Sequence, residues 1–372
     1  LPPRILVCPD KFKGSLTAEE AAAAIVRGIR RVWPEAEIDV QPLADGGEGS
    51  LELMADRSGL SRRKVTVRGP LRRPIHTEYL LGNGRALIET ARACGLHLVP
   101  PPRRHPKNTT TLGVGMLIED ALARGARDIT LFLGGSATND AGAGMAAALG
   151  YRFYGASGED FIPMADSLGY VTRIDASHCI PALGEAKVTA VCDVDNPLLG
   201  SSGATYTYAK QKGAPTGELP ELERQMMKFG ECILRDLGSD IRFTPGGGAA
   251  GGLGAGALAF LNGRLKPGNR VIPDLLDVPE RAQRADLLIT GEGKIDRQTA
   301  HGKVIAGVLG YNRPTIAVCG ASEVGPDDLG LRAILAIDRL PEVSRESGFL
   351  HAAEHVERLV ANYLREHYPK AD

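Results

Sequence analysis

No two cysteines in this chain are spaced to hold zinc, and no apolar run approaches the roughly eighteen residues that a membrane-spanning helix needs. The six cysteines, Cys8, Cys94, Cys179, Cys192, Cys232 and Cys319, contain no CxxC pair, and several lie in apolar runs such as ILVCPD and IAVCG. They read as buried thiols of a reduced compartment rather than as a disulfide or metal framework. A basic stretch followed by a short apolar one is missing near the first residue, so a soluble, cytoplasmic protein is the expectation. An excess of charge is missing too: 44 Lys and Arg face 45 Asp and Glu, for a formal net charge of −1. Nothing here predicts general attraction to nucleic acid or to a membrane, which leaves small molecules as the expected partners. The chain also lacks internal repeats, low-complexity linkers, HExxH, a Ser-His-Asp order and haem or flavin signatures. No feature of it speaks to the oligomeric state.

What is present is a strand-and-helix rhythm. A chain of 372 residues exceeds one ordinary hydrophobic core, which predicts two domains. RILVCPD reads as a buried parallel strand, and TAEEAAAAIVRGIRRVWP as a helix with Thr17 and Glu20 as a capping box and Pro34 as its limit. EIDVQPLAD, ITLFLGG, KVTAVCDVD, ADLLITGEG, PTIAVCGAS and LRAILAID read as further strands, with helices between or after them. That alternation predicts an α/β fold with a parallel sheet. Residues 62–91 break the rhythm with short antiparallel strands joined by a GNG hairpin turn. The expected division is one discontinuous domain from residues 1–61, 105–150 and 282–372, and a second α/β domain from residues 62–104 and 151–281.

Polar loops follow several strands, where ligands of open parallel sheets bind. DKFKGSLT offers Asp10, Lys11, Lys13 and Ser15 before a helix start, as an anion site or as a solvated loop with an ordinary cap. ADGGEG carries Asp45 and Glu48 among glycines, as magnesium or proton-accepting carboxylates or as a tight acidic turn. GGSATNDAGAG presents Ser136, Thr138, Asn139 and Asp140, more side chains than capping accounts for. In CDVDNP, alternation would point Asp193 and Asp195 to one face as a metal or general-base pair, with an Asx turn at Asn196 as the plainer reading. TGEGKIDRQTAHGK adds Glu292, Lys294, Asp296 and Lys303, or a salt-bridged surface. TPGGGAAGGLGAGALAFLNG has no GK[ST] and no strong strand before it, so it is neither a Walker loop nor a dinucleotide fingerprint. Its glycines either present N–H groups to phosphate or permit close packing. Carboxylates, lysines and bare backbone together are the components of phosphoryl transfer.

CPDKFKGSLTAEEAA, PLADGGEGS, GGSATNDAGAGMAAALG, CDVDNPLLG, QKGA, GGGAAGGLGAGALAFL and TGEGKID…T…HGK resemble, in order and spacing, the bacterial-type glycerate kinase family over nearly the whole chain. The resemblance implies a flavodoxin-like domain with a second α/β domain, an active site in the cleft between them, and transfer of the γ-phosphoryl group of ATP to D-glycerate with Mg2+, giving 2-phosphoglycerate. The family motifs do not themselves name a base; from the residue types, Asp45 or Asp193 is the expected base, and Asp140, Glu292 or Asp296 the expected metal ligand. Lys11, Lys13, Ser15, Glu48, Ser136 and Asn139 bind substrate, and Gly246, Gly247, Gly251, Gly252 and Lys294 meet phosphate or nucleotide. Glu89 also matches, as a site residue or at a helix start. The alternatives are a kinase of another small hydroxy acid, a glycerate 3-kinase, or a nucleotide-sensing relative without catalysis. TYAKQKGA departs from the family's FGPQKGA, and RRHPKNTTT is more basic than the family leads one to expect.

Overall fold

The computed structural model describes residues 2–44, 50–55, 59–297, 299 and 304–368. Among them the chain forms thirteen strands: β1 (Arg4–Val7), β2 (Glu37–Val40), β3 (Ser61–Arg68), β4 (Pro74–Gly82), β5 (Arg85–Glu89), β6 (Asp128–Phe132), β7 (Arg152–Tyr154), β8 (Arg173–Asp175), β9 (Lys187–Val191), β10 (Arg264–Lys266), β11 (Leu287–Ile295), β12 (Thr315–Ser322) and β13 (Ala333–Ala336). They divide between two compact units, Leu1–Asp45 with Pro267–Asp372, and Gly46–Lys266.

The first unit holds a five-stranded, all-parallel sheet in the order β13-β12-β11-β1-β2. Counted within the unit this is the flavodoxin-like order 2-1-3-4-5. The helix Ala18–Arg30 starts as expected: Glu20 N donates to Thr17 Oγ1 at 3.1 Å, and Thr17 N to the Glu20 carboxylate at 2.8 Å. Its apolar face joins Ile25 and Ile29 to Ile5, Val7, Ile289 and Val318 in one core. The helix Ala352–His367 adds Val356 and Val360. These two helices touch at Gly28, where a Cβ would stand 2.8 Å from Val360 Cβ.

The second unit holds a six-stranded sheet, β10-β9-β6-β5-β4-β3, parallel from β10 to β5 and antiparallel thereafter, with β7 and β8 as a separate ribbon. The β4–β5 hairpin turns on Asn83 and Gly84, both at positive φ (51° and 71°), as a two-residue primed turn requires. The sequence-based division differs from these units. Residues 105–150 belong to the second unit because β6 pairs with β5 and β9, and residues 267–281 belong to the first. A buried strand shows in its own residues that it is covered on both faces, but not which neighbours cover it.

The glycine stretch packs closely. Gly246, Gly251 and Gly252 have φ of 80°, 75° and 88°, and Ala250 joins them at 54°, so residues 250–252 form a left-handed turn ahead of the helix that ends at Leu261. A Cβ on Gly251 would overlap Thr138 O; one on Gly252 would lie 2.7 Å from Leu198 Cδ1, and one on Gly256 2.6 Å from Ala141 O. Gly247 N, Gly248 N, Gly251 N and Gly252 N already donate to Thr244 O, Asn196 O and Gly248 O. The expectation that Gly247, Gly251 and Gly252 offer N–H groups to phosphate is therefore replaced by a packing role; Gly246, whose Cβ would stand 3.1 Å from Cys192 Sγ, is equally enclosed. Gly251→Val should destabilise the second unit by about 2 kcal/mol or more, the scale of an overpacked core. Gly217→Ala, at a place where a Cβ meets nothing within 4 Å, should leave the melting temperature unchanged. Thermal unfolding of the two variants beside the parent tests the contrast.

Candidate active site

In the first unit the strand order reverses between β1 and β11, the place where ligands of such sheets bind. The loop after β1 runs on beside β11, with Asp10 N donating to Gly291 O at 2.8 Å, and Lys11 N donates to Asp10 Oδ1 at 2.7 Å. Phe12 is buried and closes a short turn, Phe12 N to Leu16 O at 2.8 Å. Burial of that ring leaves its neighbours Lys11 and Lys13 exposed. The Ser15 hydroxyl donates to Phe12 O at 3.2 Å, so it serves this turn. Gly293 admits the loop: a Cβ there would stand 3.0 Å from Lys13 N.

Two expected metal ligands meet at the end of β11 through a residue not singled out from sequence. The buried Thr299 donates from Oγ1 to Glu292 Oε1 at 2.7 Å and from N to Asp296 Oδ1 at 3.2 Å, while its Oγ1 accepts from Asp296 N at 3.1 Å. Lys294 lies apart, in an exposed ion pair with Glu323 at 2.6 Å that raises its pKa. Asp45, Glu48 and Lys303 lie outside the described residues.

In the second unit the parallel strands β5, β6 and β9 end at Glu89, Phe132 and Val191. Glu89 is buried beside Arg92, which also pairs with Glu78 and Glu52, while Arg62 bridges the latter two. Beyond β6, Ser136 Oγ donates to Ala250 O at 2.8 Å. Asn139 Nδ2 donates to Thr205 Oγ1 at 3.2 Å, and Asn139 Oδ1 is buried without a hydrogen-bond partner among the described residues. Asp140 departs from the expected metal role. Its Oδ2 accepts from Thr111 N and Oγ1 at 2.8 and 2.9 Å and from Gly144 N at 3.4 Å, and its Oδ1 accepts from Gly142 N at 3.3 Å. A completely buried carboxylate so surrounded joins two helix starts; burial raises its pKa and the bonds oppose the rise.

β9 stops at Val191, so strand alternation does not reach Asp193 and Asp195, which sit on an exposed loop. Asn196 does not form the expected local turn. It clamps that loop to the next segment, donating to Ser202 O at 2.7 Å and accepting from Tyr208 Oη at 2.7 Å. The TYAKQKGA departure leaves no break: Thr205–Ala209 forms a π turn, Lys210–Lys212 a 3-10 turn, and Gly213 at φ 98° ends both.

Besides Thr299, sequence reasoning missed Lys212. Lysines are ordinarily exposed, and QKGA enters the sequence reading only as a motif, with no role for its lysine. Instead it is 3 % exposed, and its Nζ donates to Thr138 O at 2.7 Å and Ser136 Oγ at 3.0 Å. Burial pushes its pKa down to about 8 against the opposing pull of Cys94 and Asp140. The signal that could have found it is its place in QKGA, one of the ordered family motifs; the proximity of QKGA to the SATN turn exists only in three dimensions.

No helix among the described residues is long and apolar enough to cross a membrane. A family model described as the glycerate kinase family matches residues 5–367. The chain is 45% identical over 323 residues to the glycerate kinase of Halalkalibacterium halodurans, covering 85% of each protein. It is 42% identical to the glycerate kinase of Bacillus subtilis, covering 95% of each. It is 40% identical to the glycerate 2-kinase of Escherichia coli K12, covering 94% of this chain and 93% of that one. A crystal structure from Salmonella typhimurium LT2, provisionally assigned as glycerate kinase 2, superposes with a TM-score of 0.84 at 38% identity, covering 98% of both chains. A match over nearly the whole chain in sequence and in fold, with the flavodoxin-like strand order and the polar strand-end loops in place, makes this protein a member of the glycerate kinase family.

Proposed function

We propose that this protein transfers the γ-phosphoryl group of ATP to the 2-hydroxyl of D-glycerate with magnesium, forming 2-phosphoglycerate. The observation that carries this reading is family membership together with 40% identity, over nearly full length, to a glycerate 2-kinase. The strand-end chemistry agrees with it. Lys11 and Lys13 are exposed cations at the point where the first sheet reverses its order, suited to a phosphate or carboxylate. Glu292 and Asp296, oriented by their shared Thr299, fit magnesium, which is commonly held by one or two carboxylates together with substrate phosphates. Magnesium, when bound, would screen the charge on the transferring group. Asp45 or Asp193 accepts the proton of the attacking hydroxyl.

Release of ADP from ATP should depend on both D-glycerate and magnesium, and should stop on chelation; no turnover above background would overturn the reading. Coupling the product directly to enolase should give signal without a mutase, whereas a requirement for mutase would assign the 3-hydroxyl instead. Glu292→Gln should lower kcat by roughly 100-fold, on the scale of a lost transition-state electrostatic contact. Lys294→Met should change kcat/KM less than about threefold, since an exposed ion pair contributes little. Of Asp45→Asn and Asp193→Asn, the variant that loses about 100-fold or more in kcat at unchanged KM identifies the base; near-parent activity in both would exclude a base from this pair.

A further inference from the structure

We propose that Lys212 is an oxyanion-binding residue of the phosphoryl-transfer reaction, receiving either the carboxylate of the acceptor or a phosphate group of the donor or product. The inference rests on the kinase reading above and adds to it a cation that lies outside the strand-end carboxylates and exposed lysines.

Several observations converge on this side chain. Its ammonium is almost wholly buried, yet no carboxylate forms a salt bridge with it among the described residues. An ammonium has three N–H donors, and two are placed, on Thr138 O at 2.7 Å and Ser136 Oγ at 3.0 Å. Both acceptors are neutral, and the charges that act on the ammonium, Cys94 and the buried Asp140, do so through space without a hydrogen bond to it.

The turn that supplies those acceptors is incompletely satisfied in the opposite sense. Asn139 is completely buried and its Oδ1 has no partner among the described residues, an unusual state for a buried polar atom and one that a bound hydroxyl-bearing ligand would relieve. The surrounding backbone is held in left-handed conformations that alanine adopts only at a cost. Ala141 (φ 50°) and Ala250 (φ 54°) flank the site, joined through Ala141 N to Gly251 O at 3.2 Å, and strain of this kind gathers at ligand sites. Gly251 keeps the flank of the ammonium bare, since a Cβ there would come within 2.8 Å of Nζ.

Lys212 itself follows a π turn, another feature enriched at functional sites. The whole assembly stands beyond the carboxyl end of β6, within the parallel part of its sheet. A structural lysine would need only the two bonds it has. A lysine with a third donor and no bonded carboxylate among the described residues is prepared for an anion, and the amide oxygen on the adjoining turn for a hydroxyl of the same ligand.

The direct test follows the Lys212 ammonium in the intact protein carrying 13Cε-labelled lysine, with the resonance assigned by its loss in Lys212→Met. In the free protein it should titrate near pH 8. D-Glycerate, inorganic phosphate and 2-phosphoglycerate are then added separately. A rise of one unit or more with any of them supports the proposal. Response to glycerate assigns the carboxylate, and response to phosphate alone assigns the phosphoryl group. No shift with any of the three overturns it. The readout needs no turnover, so it stands apart from failure of the kinase reading. In steady-state assays, parent kcat/KM should fall as pH rises above about 8, where the cation beside Cys94 and Asp140 is lost, and Lys212→Arg, which stays charged there, should show no such fall in whatever activity it keeps. A fall unchanged in Lys212→Arg would also count against the proposal.

Discussion

The second unit depends on one close approach, that of the glycine stretch to the turn beyond β6. Gly251 lies against Thr138 O, Gly252 against Ala141 and Gly256 against the Gly142 backbone, each at a distance that excludes any side chain. Backbone so placed brings its own carbonyls and left-handed residues to the end of the sheet. Ser136 Oγ donates to Ala250 O across this contact, and Lys212 ties the same serine to Thr138 O. If the glycines were larger, the turn that carries Ser136, Thr138, Asn139 and Asp140 would lose its support. Packing and site chemistry are thus the same constraint here, not alternatives.

The first unit meets a parallel requirement more simply. Its sheet reverses order between β1 and β11, and small residues at that point admit a loop anchored by the buried Phe12. Gly293 allows the loop to approach β11, and Thr299 aligns Glu292 and Asp296 at the end of the same strand. An apolar anchor therefore places two exposed lysines, and a hydroxyl orients two carboxylates. The ion pair of Lys294 with Glu323 is exposed, and pairs of that kind contribute little.

Buried polar groups divide into two kinds. Asp140 is buried with four donors upon it, and its task is to join the starts of two helices. Lys212 is buried with neutral acceptors only, and its pKa is pushed down to about 8. Composition and motif cannot separate these cases, because an Asp in NDAG and a Lys in QKGA carry no mark of what surrounds them. The Asp140 expectation failed for that reason, and Lys212 went unnoticed for the same one. Asp193 and Asp195 illustrate a smaller difficulty: their alternation was read past Val191, where the strand has already ended.

Local chemistry sufficed for much of the fold. The capping box at Thr17, the Asn83–Gly84 turn and the runs of β1, β6, β9, β11, β12 and β13 depend on neighbouring residues only, so periodicity and turn chemistry disclosed them. Ordered motifs disclosed the family by themselves. The sheet to which residues 105–150 belong, the packing role of the glycines and the burial of Lys212 were decided by tertiary structure alone. Each of these depends on contacts between segments far apart in the chain, and such contacts are set by which surfaces meet rather than by any residue's own preference.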